Sequence, residues 1–91
     1  MNFGQAIEEM KKGNRVARSG WNGKDMFIFI QDGSIISKEN ARNKVLQRLN
    51  HDKITINAHI NMNTTDGTIT VGWTASQSDM LSEDWFVVMY V

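Results

Sequence analysis

The spacing of apolar residues at the N-terminus predicts a short amphipathic helix. Phe3, Ile7 and Met10 recur at intervals of four and three residues, the period that brings side chains to one face of a helix. Asn2 is a suitable residue to cap the start, and Gly13 suits the turn that follows the last helical residue. We therefore expect one helix between Asn2 and Gly13.

A strict alternation of apolar and polar side chains covers residues 54–62. Ile54, Ile60 and Met62 belong to the apolar face, while His59 and Asn61 belong to the polar face. Alternation over this length is typical of an antiparallel strand with one buried face. We therefore predict a single strand for the whole segment.

The dipeptide Asp66-Gly67 is a signal for a two-residue hairpin turn. A hairpin that closes there brings apolar residues opposite one another, so the hydrophobic pattern itself supports this register. The predicted pairs are Thr64 with Ile69, Met62 with Val71, and Ile60 with Trp73.

The remaining segments predict three more strands and two more helices. Ser76, followed by Asp79 three residues later, is the capping-box pattern of a helix start. Asn22-Gly23 and Asp32-Gly33 are turn signals that separate the elements. The strands are predicted at residues 15–18, 26–30 and 86–90, and the helices at residues 39–49 and 76–82.

Together these elements predict a single α+β domain over residues 1–91, with two or three short helices and a small, mainly antiparallel sheet of about five strands. Residues 26–30 are apolar on both faces of their strand. Because short helices can cover only one face of such a sheet, we expect a second copy of the protein to cover the other. The prediction is therefore a homo-oligomer.

The composition argues against several classes of function. Ten basic and ten acidic residues leave no net charge, which is unlike a binder of nucleic acid polymers. The chain has no cysteine, and His51 and His59 lack a metal-binding spacing, so we expect neither a metal nor a cofactor. Residues 26–30, the longest apolar run, are too short to span a bilayer. We expect a cytoplasmic protein with no membrane partner.

No set of residues has the pattern of a catalytic site. The serines do not lie in a Gly-x-Ser-x-Gly elbow. Asp79 and Glu83 lie four residues apart on the predicted helix and could exchange protons with a substrate, but a place at the helix N-terminus explains Asp79 more simply. The sequence therefore predicts a binding protein rather than an enzyme.

The three tryptophans lie in two polar, turn-like segments, residues 18–24 and 72–85. A tryptophan ring stacks well on a purine, and neighbouring amides can read the edge of the base. For Trp21, ligand binding and core packing stay open as alternatives, whereas Trp73 and Trp85 fit a core better. The candidate ligand-binding residues are Arg18, Trp21, Asn22, Lys24, Trp73, Thr74, Ser76, Gln77 and Asp79.

These segments resemble the type-two Thoeris anti-defence family of small phage and prophage proteins. The resemblance does not extend to residues 34–53, and Gly72 and Ala75 stand where the family often has proline. The matching motifs are Met1-Asn2-Phe3-Gly4-Gln5-Ala6-Ile7, Val16-Ala17-Arg18-Ser19-Gly20-Trp21-Asn22-Gly23-Lys24, Asp66-Gly67-Thr68-Ile69, and Trp73-Thr74-Ala75-Ser76-Gln77-Ser78-Asp79 with its continuation to Trp85.

The resemblance implies a molecular sponge rather than an enzyme. Members of the family bind a cyclic ADP-ribose isomer, the signal of bacterial Thoeris immunity, and release it intact. They assemble as homotetramers with ligand pockets between subunits. Because the infected bacterium makes the signal, the resemblance also implies action in the host bacterial cytoplasm. The alternatives are a sponge for cyclic oligonucleotide signals, a structural or protein-binding phage component, and a phosphodiesterase that destroys the signal.

The chemistry of the candidate residues suggests a mechanism for this implied role. Adenine would stack on Trp21 or Trp73, and the diphosphate would meet Arg18 and Lys24 through charge-assisted hydrogen bonds. The residues that would read the base edge or the ribose hydroxyls are Asn22, Gln77 and Asp79.

Overall fold

The computed structural model describes residues 1–90. Within these residues the strands are β1 Val16–Arg18, β2 Phe27–Gln31, β3 Ser34–Ser37, β4 Lys53–Ile56, β5 His59–Asn63, β6 Ile69–Val71 and β7 Trp85–Val87. The larger sheet is antiparallel and has five strands in the order β6-β5-β2-β1-β7. The smaller sheet pairs β3 with β4. Each of the five strands of the larger sheet overlaps a segment predicted as a strand, but the bounds differ: the last strand, predicted at residues 86–90, ends at Val87.

Helix α1, Phe3–Lys11, forms as the N-terminal pattern predicts. The Asn2 side chain accepts a hydrogen bond from the backbone N–H of Gln5, and the Gln5 side chain accepts one from the N–H of Asn2. Gly13 has a φ of +94°, the left-handed conformation that ends a helix at little cost for glycine. Capping and periodicity therefore agree on both ends.

Helix α2, Gln77–Leu81, begins with the predicted capping box. The Ser76 hydroxyl accepts from the N–H of Asp79, and the Asp79 carboxylate accepts from the N–H of Ser76. The α+β class, with short helices and a mainly antiparallel sheet, is thus confirmed.

The core lies between α1 and one face of the larger sheet. Phe3 and Ile7 of the predicted apolar helix face pack against it. Its fully buried members are Ala6, Met10, Val16, Ile28 and Trp85. They come from α1, β1, β2 and β7, so a single apolar cluster joins the helix to three strands.

The helix predicted at residues 39–49 is wrong. The Asn43 carboxamide oxygen accepts hydrogen bonds from the backbone N–H groups two and three residues later. Such local bonds compete with α-helical hydrogen bonding, and an isolated helix of this length is marginal without a large buried face. The segment instead contains two short 3-10 turns, Lys38–Asn40 and Leu46–Arg48.

The single strand predicted at residues 54–62 is also wrong. Strand β4 ends at Ile56, β5 begins at His59, and the two belong to different sheets. The connection from β2 to β3 passes close to this break, because a Cβ added at Gly33 would lie 2.6 Å from the Ile56 carbonyl oxygen. The alternation of side chains therefore continues across a point where the backbone changes sheet. Strand β3, which no sequence pattern predicted, pairs with β4 beyond it.

The β5–β6 hairpin is shifted by one residue from the predicted register. Met62 pairs with Thr70 rather than Val71, and Asn63 takes the place predicted for Thr64. The loop consists of residues 65–67, with the glycine at position 67 in the left-handed region at φ +84°. A three-residue loop of this kind is a common alternative to the two-residue turn.

A bulge at Gly72 compensates for the shift. The N–H groups of Gly72 and Trp73 both donate to the carbonyl oxygen of Ile60, at 3.1 and 2.8 Å. Gly72 has a φ of +85°, which a glycine adopts readily. The predicted position of Trp73 opposite Ile60 is therefore confirmed, although the other two predicted pairs are wrong.

One face of the larger sheet points away from α1, and we call it the open face. Side chains alternate along a strand, so Phe27 and Phe29 point away from the core. Ile69, Val71 and Phe86 share this face through their strand pairing, and they are 49%, 65% and 44% exposed. The open face thus presents large apolar side chains that the rest of residues 1–90 leaves partly exposed.

Candidate functional site

A cleft of about 470 Å³ lies at one end of the open face, beside the loop that joins β1 to β2. Ala17, on β1, lies opposite Phe86 in the pairing of β1 with β7, and Phe27 lines the cleft from β2. The small methyl group of Ala17 between larger neighbours leaves the hollow open. Trp21 contributes a further aromatic side chain from the joining loop. Three aromatic rings therefore line the cleft together with aliphatic and polar groups, a mixture that suits a small-molecule site.

Three charged side chains in residues 1–90 also line the cleft: Arg15, Arg18 and Asp25. Asp25 has a φ of +61°, and its carbonyl oxygen accepts a hydrogen bond from the Asn63 side chain at 3.0 Å. This bond ties the end of the joining loop to β5. The cleft therefore combines aromatic rings with groups that can recognise polar atoms.

The start of the joining loop is held by Asp84. One carboxylate oxygen of Asp84 accepts from Arg18 Nε at 2.9 Å, and the other accepts from the Gly20 N–H at 2.8 Å. A Cβ added at Gly20 would lie only 2.8 Å from that second oxygen. A glycine at this position therefore permits the close approach of the loop to Asp84.

Asp79 is a second attachment point for the loop. Its Oδ1 atom accepts hydrogen bonds from Arg18 Nη1 at 2.8 Å and from Trp21 Nε1 at 3.1 Å. Its Oδ2 atom accepts from the Ser76 N–H, and its backbone carbonyl accepts from Trp85 Nε1 at 2.9 Å. Asp79, in the first turn of α2, thus fixes the orientation of Trp21 through its side chain and that of Trp85 through its backbone.

We call Arg18, Asp79 and Asp84 the loop anchor. Burial alone would raise the pKa of Asp79, but hydrogen bonds from Arg18, Trp21 and Ser76 outweigh it and leave the pKa below its usual range. The hydrogen bond from Arg18 lowers the pKa of Asp84, and its bonds to Asp84 and Asp79 raise the pKa of Arg18. All three groups are charged at neutral pH, so the loop anchor carries a net negative charge.

The tryptophans form one aromatic cluster with Phe3 of α1. The ring of Trp21 lies 5.2 Å from that of Trp85 and 6.2 Å from that of Trp73, edge-on in both cases. Phe3 contacts Trp73 and Trp85. Trp85 is 2% exposed, so its interpretation as a core residue is confirmed. Trp21 packs against the core and also lines the cleft. Core packing of Trp21 is therefore observed, and its contact with a ligand stays a prediction.

Comparison with known proteins identifies the family of this chain. The model of the Thoeris anti-defense 2-like domain matches residues 1–88. The chain belongs to this family. A curated relative named Thoeris anti-defense 2, from Bacillus phage SP01, is 36% identical over 88 residues, which cover 97% of this chain and 94% of the relative. The family resemblance seen in the tryptophan segments is thus confirmed.

Three of the predicted ligand-binding residues are in contact with one another in the structure. Arg18 and Trp21 line the cleft, and Asp79 bonds to both. Trp73 packs on the core beside Trp21, and Ser76 caps α2. Contact of any of these residues with a ligand stays a prediction. The five predicted residues that are exposed and outside the cleft lining are Asn22, Lys24, Thr74, Ser76 and Gln77.

Most residues of the cleft were not predicted from the sequence, among them Arg15, Ala17, Phe27 and Phe86. Ala17 and Phe27 looked like ordinary strand residues, and Arg15 and Phe86 lay at the edges of predicted strands. The signal that could have found them is the doubly apolar strand at residues 26–30, because its second apolar face is where the cleft lies. From the sequence, that face was expected only to contact a second copy of the protein.

Two further properties concern the part of the chain that the structure describes. In residues 1–90, no group of three or more His, Cys, Asp or Glu side chains is arranged to hold a metal ion. No helix in that range is long and apolar enough to cross a membrane. His59 Nδ1 hydrogen-bonds the Asn57 carbonyl oxygen at 2.9 Å.

Proposed function

We propose that this single-domain protein is a phage anti-defence sponge that binds a cyclic ADP-ribose isomer made by bacterial Thoeris immunity and does not degrade it. Sequestration would keep the signal from its effector in the host bacterial cytoplasm. The observation that carries the proposal is the aromatic cleft of about 470 Å³ beside Trp21, in a member of the Thoeris anti-defense 2-like family. Its volume lies within the usual range of ~300–1,000 Å³ for small-molecule sites.

A preformed wall supports this role. A sponge needs high affinity and slow release rather than bond cleavage. The Trp21 ring is fixed by its hydrogen bond to Asp79 and by edge-on contacts with Trp73 and Trp85. Binding to a fixed ring costs less conformational entropy than binding to a mobile one. We propose that a purine of the ligand stacks on the exposed part of Trp21.

The other predicted residues keep supporting roles in this proposal. Asn22 and Lys24 are exposed on the joining loop, from which they could reach a ligand that extends out of the cleft. Thr74 and Gln77 are also exposed, before and at the start of α2. Trp73, Thr74, Ser76 and Gln77 do not line the cleft. They would contact a ligand only if it extends out of the cleft of the same subunit or is bound in the cleft of a neighbouring subunit.

A homo-oligomer, proposed as a tetramer, would cover the open face. Ile69 and Val71 on β6 and Phe86 on β7 leave apolar area in water at opposite edges of the same sheet. Exposed apolar area of this kind favours association with another protein surface. A second copy that packs there would also enclose the cleft, since Phe27 and Phe86 belong to both the open face and the cleft.

Titration calorimetry with glycocyclic ADP-ribose tests the proposal, followed by heating of the complex and chromatography of the released ligand. Tight binding with unchanged ligand recovered is the expected result. A chemically altered product would indicate the phosphodiesterase instead. The absence of heat would overturn this ligand, and the same titration with cyclic dinucleotides and trinucleotides would then test the second sponge function.

The open face favours one further alternative, a structural or protein-binding phage component. Such a protein would need the exposed apolar side chains but would have no affinity for nucleotides. Light scattering of the purified protein with and without ligand distinguishes the two. A monomer that binds no nucleotide would favour the alternative, whereas a closed oligomer that binds ligand would contradict it.

A further inference from the structure

Arg15 lies at the rim of the cleft, just before β1. Its guanidinium group lies between two aromatic rings, 4.1 Å from the centroid of Tyr90 and 4.7 Å from that of Phe27. Nε donates to the Val88 carbonyl oxygen at 3.2 Å, and Nη2 donates to that of Met89 at 3.0 Å. The C-terminal segment and β2 therefore hold one charged side chain in a fixed orientation.

The two arginines of the cleft differ in the charge of their partners. Arg18 is bound by Asp79 and Asp84, so its positive charge is more than cancelled. Arg15 forms no ion pair within residues 1–90, and its partners there are neutral carbonyl oxygens and rings. An anion entering the cleft would be repelled by the net charge of the loop anchor and attracted by Arg15.

We propose that Arg15 is the residue of the cleft that recognises phosphate, and that Phe27 and Tyr90 position it. This inference rests on the proposed function, whose ligand carries a diphosphate. It gives Arg18 a different task from the one that the sequence suggested, namely to position the loop that carries Trp21. The sequence offered no signal for Arg15, since Tyr90 lies 75 residues away along the chain.

The free edge of the guanidinium group is suited to this role. A guanidinium has five N–H donors in one plane. In Arg15, Nε and Nη2 each donate to one carbonyl oxygen, and Nη1 makes no hydrogen bond within residues 1–90. The contacts with the two rings use no N–H donor, so the donors on Nη1 are left for a ligand within the described residues. Two such donors can bind two oxygens of one phosphate at once.

Calorimetry of Arg15→Gln tests the assignment, with Arg42→Gln as the matched control. Arg42 is exposed in the segment between β3 and β4, outside the cleft, so its replacement removes the same charge from a distant site. Arg15→Gln should weaken binding of glycocyclic ADP-ribose roughly 10- to 100-fold, as expected for charge-assisted hydrogen bonds. Arg42→Gln should change the affinity less than about twofold.

A comparison of ADP with adenosine isolates the phosphate contribution. The wild-type protein should bind ADP more tightly than adenosine, and Arg15→Gln should remove that preference while adenosine binds as before. Arg15→Lys should retain part of the preference, because an ammonium group keeps the charge without the planar edge. If Arg15→Gln does not fold, the ratio of ADP affinity to adenosine affinity in Arg15→Lys, compared with the wild-type ratio, tests the inference instead.

Two outcomes would overturn the inference. One is an Arg15→Gln protein that binds glycocyclic ADP-ribose as tightly as Arg42→Gln does. The other is an equal loss of ADP and adenosine affinity, which would assign Arg15 a purely structural task. Either result requires that the wild-type protein bind glycocyclic ADP-ribose, and it would leave the proposed function intact. Failure of the wild-type protein to bind would overturn the proposed function itself.

Discussion

Trp21 and Asp79, which lie 58 residues apart in the chain, are joined by a hydrogen bond of 3.1 Å from the indole Nε1 to a carboxylate oxygen. The same oxygen accepts from Arg18, so the acceptor itself is held in place. Asp79 in turn belongs to the capping box of α2. The orientation of the aromatic wall of the cleft therefore depends on a helix that does not line it.

Trp21 provides the first prediction. Trp21→Ala should abolish binding of glycocyclic ADP-ribose while leaving a folded oligomer, because the ring lies at the edge of the core rather than at its centre. Trp21→Phe, which keeps an aromatic face but loses the indole N–H, should retain part of the affinity. Calorimetry and circular dichroism of both variants measure the two effects. Unchanged affinity in Trp21→Ala would remove this residue from the site.

The floor of the cleft provides a second prediction. Ala17 is buried beside Phe86, and a larger side chain there has to enter the space proposed for the ligand. Ala17→Leu should weaken binding at least about tenfold and destabilise the fold by about 1–3 kcal/mol. Ala17→Ser, which adds one oxygen, is the matched control and should bind far better than Ala17→Leu. Equal affinity in both variants would place the ligand elsewhere.

The loop anchor predicts how stability depends on pH. The pKa values of Asp79 and Asp84 are lowered in the folded protein, whereas an unfolded aspartate titrates near pH ~3.9. A carboxylate with a lowered folded pKa stabilises the fold above its unfolded pKa, and this stabilisation is lost as the pH falls through the folded value. The contribution of the loop anchor should therefore be complete at neutral pH and decline below about pH 4.

Urea unfolding monitored by tryptophan fluorescence between neutral and acidic pH measures this effect. Asp79→Asn is the informative variant, because it keeps the shape of the side chain but removes one charge from the loop anchor. It should be about 2–3 kcal/mol less stable than the wild-type protein at pH 7. The difference should shrink in acid, and a difference that stays constant at all pH values would contradict the prediction.

These same residues show what the sequence can and cannot predict. The caps of both helices, Asn2 and Ser76, act on backbone groups within three residues, so a local pattern suffices to find them. Arg18 lies 61 and 66 residues from its partners Asp79 and Asp84. Their contact depends on the pairing of β1 with β7, which no local pattern encodes. The sequence therefore predicted candidate site residues without the ion pairs that connect them.

The register of the β5–β6 hairpin illustrates a second limit. Two glycines with positive φ, Gly67 and Gly72, each change the count of residues between strands by one. The alternating pattern is also compatible with a register shifted by one residue, because Thr70 can lie opposite Met62 in place of Val71. Consequently Val71 lies on the open face. The predicted register had instead placed it on the core face, opposite Met62.

Asp25 provides a prediction for ligand affinity. Its carboxylate lines the same cleft as Arg15, and a negative charge there opposes the entry of a phosphate. Asp25→Asn should therefore tighten binding of glycocyclic ADP-ribose a few-fold. Asparagine also tolerates the positive φ of this position, so the loop should keep its conformation. Calorimetry at low and high salt measures the effect, which should diminish as salt screens the charge.

Asn61 provides the last prediction. It is 1% exposed, and its Oδ1 atom has no hydrogen-bond partner within residues 1–90, although its Nδ2 donates to Gln31. An unsatisfied buried acceptor costs about 1–3 kcal/mol. Asn61→Val, which removes it and suits a strand, should therefore raise the free energy of unfolding by about 1 kcal/mol. Gln31 is exposed, so water can replace the bond it loses.

Asn63→Val is the control for Asn61→Val, because Asn63 lies on the same strand face but its side chain donates to the Asp25 carbonyl oxygen. This second variant should lose stability, since a hydrogen bond is removed instead of an unsatisfied acceptor. Urea unfolding of the two proteins at one concentration measures the contrast. An Asn61→Val protein that is less stable than Asn63→Val would contradict the prediction, because the bond from Nδ2 to Gln31 would then contribute more than the unsatisfied Oδ1 atom costs.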